Sequence, residues 1–392
     1  MKTRGTQATG IRAPIIYEGD NLPEIVVNSV MEYSKESGVP ISSRDIIGVT
    51  EAVVARAQGN YATTKQIAAD VRSKFPSGAV GLVFPILSRN RFSILLKGIA
   101  AGADKLYIQL SYPADEVGNH IISAEQIYES GVNPYTDVFS EKDFRARFKN
   151  LKHEFTAIDY IELYRILGNN AEIILANDPC EILKYTKNVI AADIHTRVQT
   201  KRRFLANGAK SVFGLDEILN KSINGSGYNE KYGILGSNKA GEDRVKLFPR
   251  LCEKFVADVQ KLMLEKTGVR VEALVYGDGA FKDPAGKIWE LADPVVSPAF
   301  TDGLNGLPNE LKLKYIADNE FAGKRGDEAR NAMIERIRNK DKNLTGRDET
   351  EGTTPRRLTD LIGSLCDLVS GSGDKGTPII LIKGYFDNYA SE

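Results

Sequence analysis

The sequence predicts an α/β to α+β protein. Short apolar strands alternate with amphipathic helices along most of its 392 residues, and no internal repeat interrupts the alternation. With 42% hydrophobic and 27% charged residues, the chain can bury a core of ordinary size divided into two or three lobes. All-α and all-β classes fit this pattern poorly.

Taken in order, Leu22, Ile25, Val26, Val30 and Tyr33 fall at helical spacing. The run DIIGVT, Asp45 to Thr50, reads as a buried strand, followed by a helix with Val53, Val54 and Ala57 inward. Further strands are expected at Ala79 to Phe84, Lys105 to Ser111, Glu172 to Ala176 and Lys210 to Gly214. Helices are expected at Phe92 to Ala101, Asp159 to Leu167, Thr196 to Asn207 and Lys246 to Lys266. Strand VRVEALVYGD then leads to a turn at Pro284 to Gly286, and the chain closes with helix Arg356 to Val369, loop GSGDKG and strand PIILIKGY. Two polar stretches, Asn224 to Asn238 and Lys342 to Pro355, read as exposed loops or boundaries.

Lys plus Arg and Asp plus Glu both total 52, so no overall charge draws the chain to nucleic acid or a membrane, and an anionic ligand needs a local site. Cys180, Cys252 and Cys366 are odd in number and lack CxxC spacing, which points to buried thiols in a reducing cytoplasm. The N-terminus has no signal-peptide run, and no stretch approaches the ~20 apolar residues that span a bilayer.

Asp278 is the foremost candidate for chemistry, because it ends the apolar strand ALVYGD at a glycine turn, where a carboxylate can hold a divalent cation against phosphate. The simpler reading is an Asx turn. Asp283, Glu290 and Asp293 follow closely, and Glu242 and Asp243 precede the long helix; Asp243 and Asp293 are retained as metal candidates beside the alternative of solvated surface. In GSGDKG, Gly371, Ser372, Gly373, Asp374, Lys375 and Gly376 offer backbone N–H groups to a phosphate, or simply stop a helix. No GxxxxGK[ST] loop is present. His120, His153 and His195 lack zinc-ligand spacing, and Lys201, Arg202 and Arg203 suit a solvated helix face better than an anion site.

Several segments, in order, resemble the coenzyme F420-0:L-glutamate ligase family. GIRAPIIYEGDNLPEIV is similar to the family opening, with Ile11, Arg12, Ala13 and Pro14 at the nucleotide and Gly19 and Asp20 starting the first helix. In DIIGVTEAVVARAQGN, Arg56 stands where the family has a nucleotide-binding lysine, with Glu51 and Ala52 replacing small polar or basic residues. LGSN resembles the Asp-x-Ser-Asn element, which carries a nucleotide role to Asn238 while Leu235 replaces the metal aspartate. Asp278 matches the aspartate of the Asp-Thr-Phe-Gly metal motif, with Gly279 in place of threonine. The segment Arg356 to Tyr385 is the most specific match, to the closing helix, loop and strand.

The resemblance implies an interleaved, two-lobed, mixed-sheet fold. Residues 1–104 and 229–392 would form the ligase core, and 105–228 an inserted or divergent α/β region. It also implies a homodimer that uses GTP and Mg²⁺ or Mn²⁺ to phosphorylate an acid and join it to L-glutamate, with Asp278 and Arg56 catalytic. Folate or another acid is the alternative acceptor, and a nucleotide-binding protein without catalysis the alternative function.

Overall fold

The computed structural model describes residues 3–153, 156–169, 171–277, 281–282, 289–290, 297–353, 357–371 and 373–391. Its strands are β1 Gln7–Ile11, β2 Ile46–Thr50, β3 Tyr61–Thr63, β4 Ala79–Val83, β5 Lys105–Leu110, β6 Phe139–Ser140, β7 Glu172–Leu175 and β8 Asn188–Ala191. They continue with β9 Ser211–Gly214, β10 Asn238–Lys239, β11 Arg244–Lys246, β12 Glu272–Tyr276, β13 Phe281–Lys282, β14 Trp289–Glu290, β15 Ala299–Phe300 and β16 Ile379–Lys383. Strands and helices thus alternate in one mixed α/β chain, as the apolar periodicity predicts.

The first sheet has the order β1-β16-β2-β12-β15, with β2 and β12 parallel and the other neighbours antiparallel. Alternation along its strands explains how both faces are covered. Ile47, Val49, Ala273, Val275, Ile379 and Leu381 join the core formed with helices Leu22–Ser37 and Cys252–Thr267. Ile46, Leu274, Tyr276, Ile380 and Ile382 turn the other way, onto helix Leu358–Val369. Gly48 is required on that second face, since a Cβ there would meet Cys366 Sγ at 2.4 Å. Burial of Cys366 pushes its thiol well above the usual range and keeps it protonated.

The second sheet has the order β6-β7-β5-β4-β8-β9, parallel throughout except at the edge strand β6. Read in chain order, the five parallel strands follow the 3-2-1-4-5 arrangement of a doubly wound sheet, whose switch point lies between β4 and β8. Residues 105–228 supply every strand of this sheet except β4, which comes from the N-terminal segment. Ligands of such sheets dock outside the carboxyl ends at the switch point. Here the chain occupies that place itself. Asp115 accepts from Leu87 N at 2.8 Å, beyond β4, and Glu116 accepts from Ile194 N and His195 N, beyond β8. Burial raises the pKa of both carboxyls.

A three-stranded antiparallel sheet, β10-β11-β3, lies beside the loop leaving β4, since Lys239 N donates to Asn90 O at 2.9 Å. Two expectations are corrected here. The helix expected from Lys246 begins at Cys252, because Arg244–Lys246 is recruited as β11 against β3. The stretch from Asn224 to Asn238 is not an exposed loop throughout: Ser226, Asn229, Tyr232, Ile234, Leu235 and Ser237 are buried, while Asn224, Gly225, Glu230 and Lys231 are exposed.

Its asparagines and glycines serve as internal hydrogen-bond partners for irregular backbone. Asn229 Nδ2 donates to Phe248 O and Pro249 O, while its Oδ1 accepts from Lys231 N and Tyr232 N. Asn60, fully buried, donates to Tyr228 O at 3.0 Å and Phe248 O at 2.7 Å and accepts from Tyr228 N at 3.0 Å. Among the described residues no helix is long and apolar enough to cross a membrane.

Asn60→Ala removes three hydrogen bonds: the part-buried N–H and C=O of Tyr228 lose their Asn60 partner, and Phe248 O keeps only Asn229 Nδ2. At about 1 kcal/mol or more for each lost partner, it should lower stability by about 3 kcal/mol, read as a lower urea midpoint at unchanged m-value.

Candidate functional site

A cavity of about 990 Å³ opens where the ends of the first sheet meet the small antiparallel sheet. Its walls come from the segment after β1, the start of the helix after β2, strands β3, β10 and β11, the loop leaving β4, and the turn before β16.

The segment from Ala13 to Glu18 forms one wall and is fastened on two sides. Ala13 N donates to Gly376 O at 3.3 Å, and Arg56 Nε donates to Ile16 O. The Arg56 guanidinium also lies 5.9 Å from the centroid of the Tyr17 ring, within cation–π range. Ile15 and Tyr17 remain 71% and 60% exposed, so an apolar chain and an aromatic ring stand at the opening.

Glu51, the first residue of helix Glu51–Ala57, contributes a carboxylate that is nearly inaccessible to solvent. Lys246 Nζ reaches both of its oxygens at 2.7 Å. On the same strand as Lys246, Arg244 stacks over Tyr61 of β3 at 4.1 Å. Lys246 and Tyr61 are register partners, so the two contacts lie on adjoining parts of one strand pair.

Asn238, opposite Lys246 in β10, turns its Oδ1 to Arg91 Nη1 at 2.6 Å and Asn90 Nδ2 at 3.5 Å. Among the described residues, the charged side chains lining the cavity are Arg56, Lys239, Arg244 and Lys246 against Glu18, Glu51 and Asp367. With Lys246 paired to Glu51 and Lys239 Nζ 3.3 Å from Glu242 Oε1, Arg56 and Arg244 are left facing Glu18 and Asp367, so charges of both signs meet at the cavity.

Of the residues singled out from sequence, Ala13, Pro14, Arg56, Asn238, Gly371 and Gly376 line this one cavity, although they are spread along the whole chain. Ile11, Arg12 and Lys375 line a separate depression of about 680 Å³ together with Glu32 and Glu36. Gly373 and Asp374 are exposed and lie outside both lining sets. Gly371 bridges to Thr377, so the glycine loop closes on itself, and a Cβ at Gly371 would meet Lys375 Cβ at 2.5 Å.

Asp278, Asp283, Asp293 and Ser372, with the turn at Pro284 to Gly286, lie outside the described residues. Tyr276, the last residue of β12, is paired with Thr50 on the cavity wall two positions before Asp278. Asp243 is exposed between β10 and β11, its carbonyl accepting from Thr64 N at 2.8 Å, and is not part of the cavity wall. Leu235, where the resemblance places a metal aspartate, is buried in the apolar core. Among the described residues no group of three His, Cys, Asp or Glu side chains could hold a metal ion. Lys201 and Arg203 are spent on ion pairs with Glu217 and Asp178.

The residues that sequence reasoning missed are Lys246, Arg244, Tyr61 and Arg91. Glu51 and Lys246 are 195 positions apart, and Arg91 and Asn238 are 147 apart, so no local spacing announces either pair. No curated protein matches the chain. The model of the F420-0:Gamma-glutamyl ligase family matches residues 10–384, from Gly10 in β1 to Gly384 just beyond β16, and takes in every wall of the cavity. The chain therefore belongs to the F420-0:Gamma-glutamyl ligase family.

Proposed function

We propose that the protein is a GTP-dependent amide ligase that adds L-glutamate to the carboxylate of an acid such as F420-0. The observation that carries this reading is the convergence of Ala13, Pro14, Arg56, Asn238, Gly371 and Gly376 on one cavity. The resemblance to family motifs points each of these positions toward the nucleotide independently of where the others lie in space.

The chemistry follows from the parts. The acid's carboxylate attacks the γ-phosphorus, the bond to the β–γ bridging oxygen breaks, and GDP leaves an acyl phosphate. The glutamate amine then attacks the acyl carbon, losing a proton as orthophosphate departs. Both steps crowd negative charge around phosphorus, which positioned cations stabilise. Arg56 and Arg244 are suited to this task because a planar guanidinium donates to phosphate in a fork. Each is already held beside an aromatic ring, Tyr17 or Tyr61. A divalent cation bound through Asp278 would neutralise phosphate oxygens; the described residues alone do not compose a metal site.

Glu51 and Lys246 have a different part in this proposal. Both carboxylate oxygens are engaged by one ammonium, so the pair ties the helix after β2 to β11 and fixes the distance between two cavity walls.

With F420-0, L-glutamate, GTP and Mn²⁺ supplied together, orthophosphate should be released, and omission of any one should stop release. Turnover with folate in place of F420-0 would support the alternative acceptor, whereas a rise in Tm with GTP and no phosphate under any acceptor would leave a binding protein. Asp278→Asn should abolish turnover at unchanged Tm; full activity would remove Asp278 from the mechanism.

Arg244→Ala should raise the KM for GTP by about tenfold, equivalent to about 1.4 kcal/mol, with the fold preserved. Lys246→Met leaves Glu51 buried without its cation and should cost about 3–5 kcal/mol in denaturant unfolding. The Glu51→Gln, Lys246→Met double variant should recover part of that loss, and a double variant less stable than Lys246→Met would refute the pairing argument.

A further inference from the structure

We propose that Arg91 is a positioning residue for nucleotide recognition, acting through Asn238, by which the parallel sheet sets the chemistry of a cavity built mainly by the other sheets. The proposal rests on the cavity being the nucleotide site. Arg91 lies in the loop leaving β4, the strand beside the switch point, and is 7% exposed. Its backbone N–H donates to Ser88 Oγ at 3.1 Å, which fixes the loop at this point. The next residue, Phe92, is buried in the parallel-sheet core.

A side-chain amide has one end that accepts and one that donates, and which end faces a ligand decides what it can recognise. Asn238 could offer the cavity either end. Arg91 Nη1 at 2.6 Å removes that choice, because a guanidinium only donates and must therefore meet the amide oxygen. Lys239 N donating to Asn90 O at 2.9 Å holds β10 against the loop that carries Arg91. Asn238 is left with its NH₂ group as the end available to a ligand, and among the described residues that group makes no hydrogen bond. The ligand atom it recognises must be an acceptor, which a phosphate oxygen or the carbonyl oxygen of a purine base supplies. Without Arg91 the amide can turn over and present its oxygen, which would repel the same ligand.

The test is calorimetric binding of GTP with Mn²⁺ to the full chain and to Arg91→Met, Arg91→Lys, Asn238→Ala and the Arg91→Met, Asn238→Ala double variant. Circular dichroism and Tm without nucleotide confirm folding. Arg91→Met keeps side-chain length without a donor, and Arg91→Lys restores one. Arg91→Met and Asn238→Ala should each weaken GTP binding about tenfold, and the double variant should be no weaker than the worse single, because both remove one interaction. Arg91→Lys should recover part of the affinity. Wild-type affinity in Arg91→Met, or a double variant weakened by the product of the two single effects, overturns the proposal. If the wild-type chain fails to bind GTP, or Asn238→Ala binds it unchanged, the reading of the cavity itself falls and this proposal with it.

Discussion

The insertion of β16 between β1 and β2 is the constraint on which the cavity depends. Ile379 pairs with Ile11 on one side and with Val49 on the other, so the end of the chain is locked between two N-terminal strands. Three segments must therefore emerge side by side: the loop after β1, the helix after β2, and the turn before β16. Thr50 N donates to Pro378 O at 3.1 Å and Ala13 N to Gly376 O at 3.3 Å, extending the sheet's bonding into the cavity wall. Antiparallel closure by a C-terminal strand makes this site a product of complete folding, since neither terminal part can form the wall alone.

The doubly wound sheet has a different role from the one its topology suggests. At its switch point the backbone N–H groups that such folds commonly offer to a ligand already donate to Asp115 and Glu116. What the sheet presents outward is the rest of the loop after β4, with Asn90 on the cavity wall and Arg91 behind it. A mainly parallel sheet is a good support for such contacts, because its inner strand β4 is bonded on both sides by parallel neighbours and its loop inherits that fixity.

Much of the architecture was legible because burial leaves a periodic trace. The strands at Ile46–Thr50, Ala79–Val83, Lys105–Leu110 and Ile379–Lys383 are nearly unbroken apolar runs, as expected of strands covered on both faces. The short strands β3, β10 and β11 were not legible, being two or three residues long and polar in part. Polar composition also misled at Asn224 to Asn238, where Asn229 is inside because it satisfies irregular backbone, and not because it seeks water. Motif order located Arg56 and Asn238 on the cavity, whereas Lys246 and Arg91 have no motif; their roles exist only through partners brought from more than a hundred positions away.

The Glu51–Lys246 pair shows how the proposed nucleotide site can hold a carboxylate. An unpaired Glu51 would repel a polyanion and be costly to bury, and an unpaired Lys246 would add one more flexible point charge. Joined, they are nearly neutral to a ligand, yet they link the helix after β2 to β11 across 195 positions. Their net contribution to stability need not exceed that of a well-packed apolar pair. Their value lies in geometry, because the same β11 carries Arg244 over Tyr61, so a shift of that strand would move the guanidinium as well. The buried pair thus sets where the Arg244 guanidinium stands while adding no net charge of its own to the cavity.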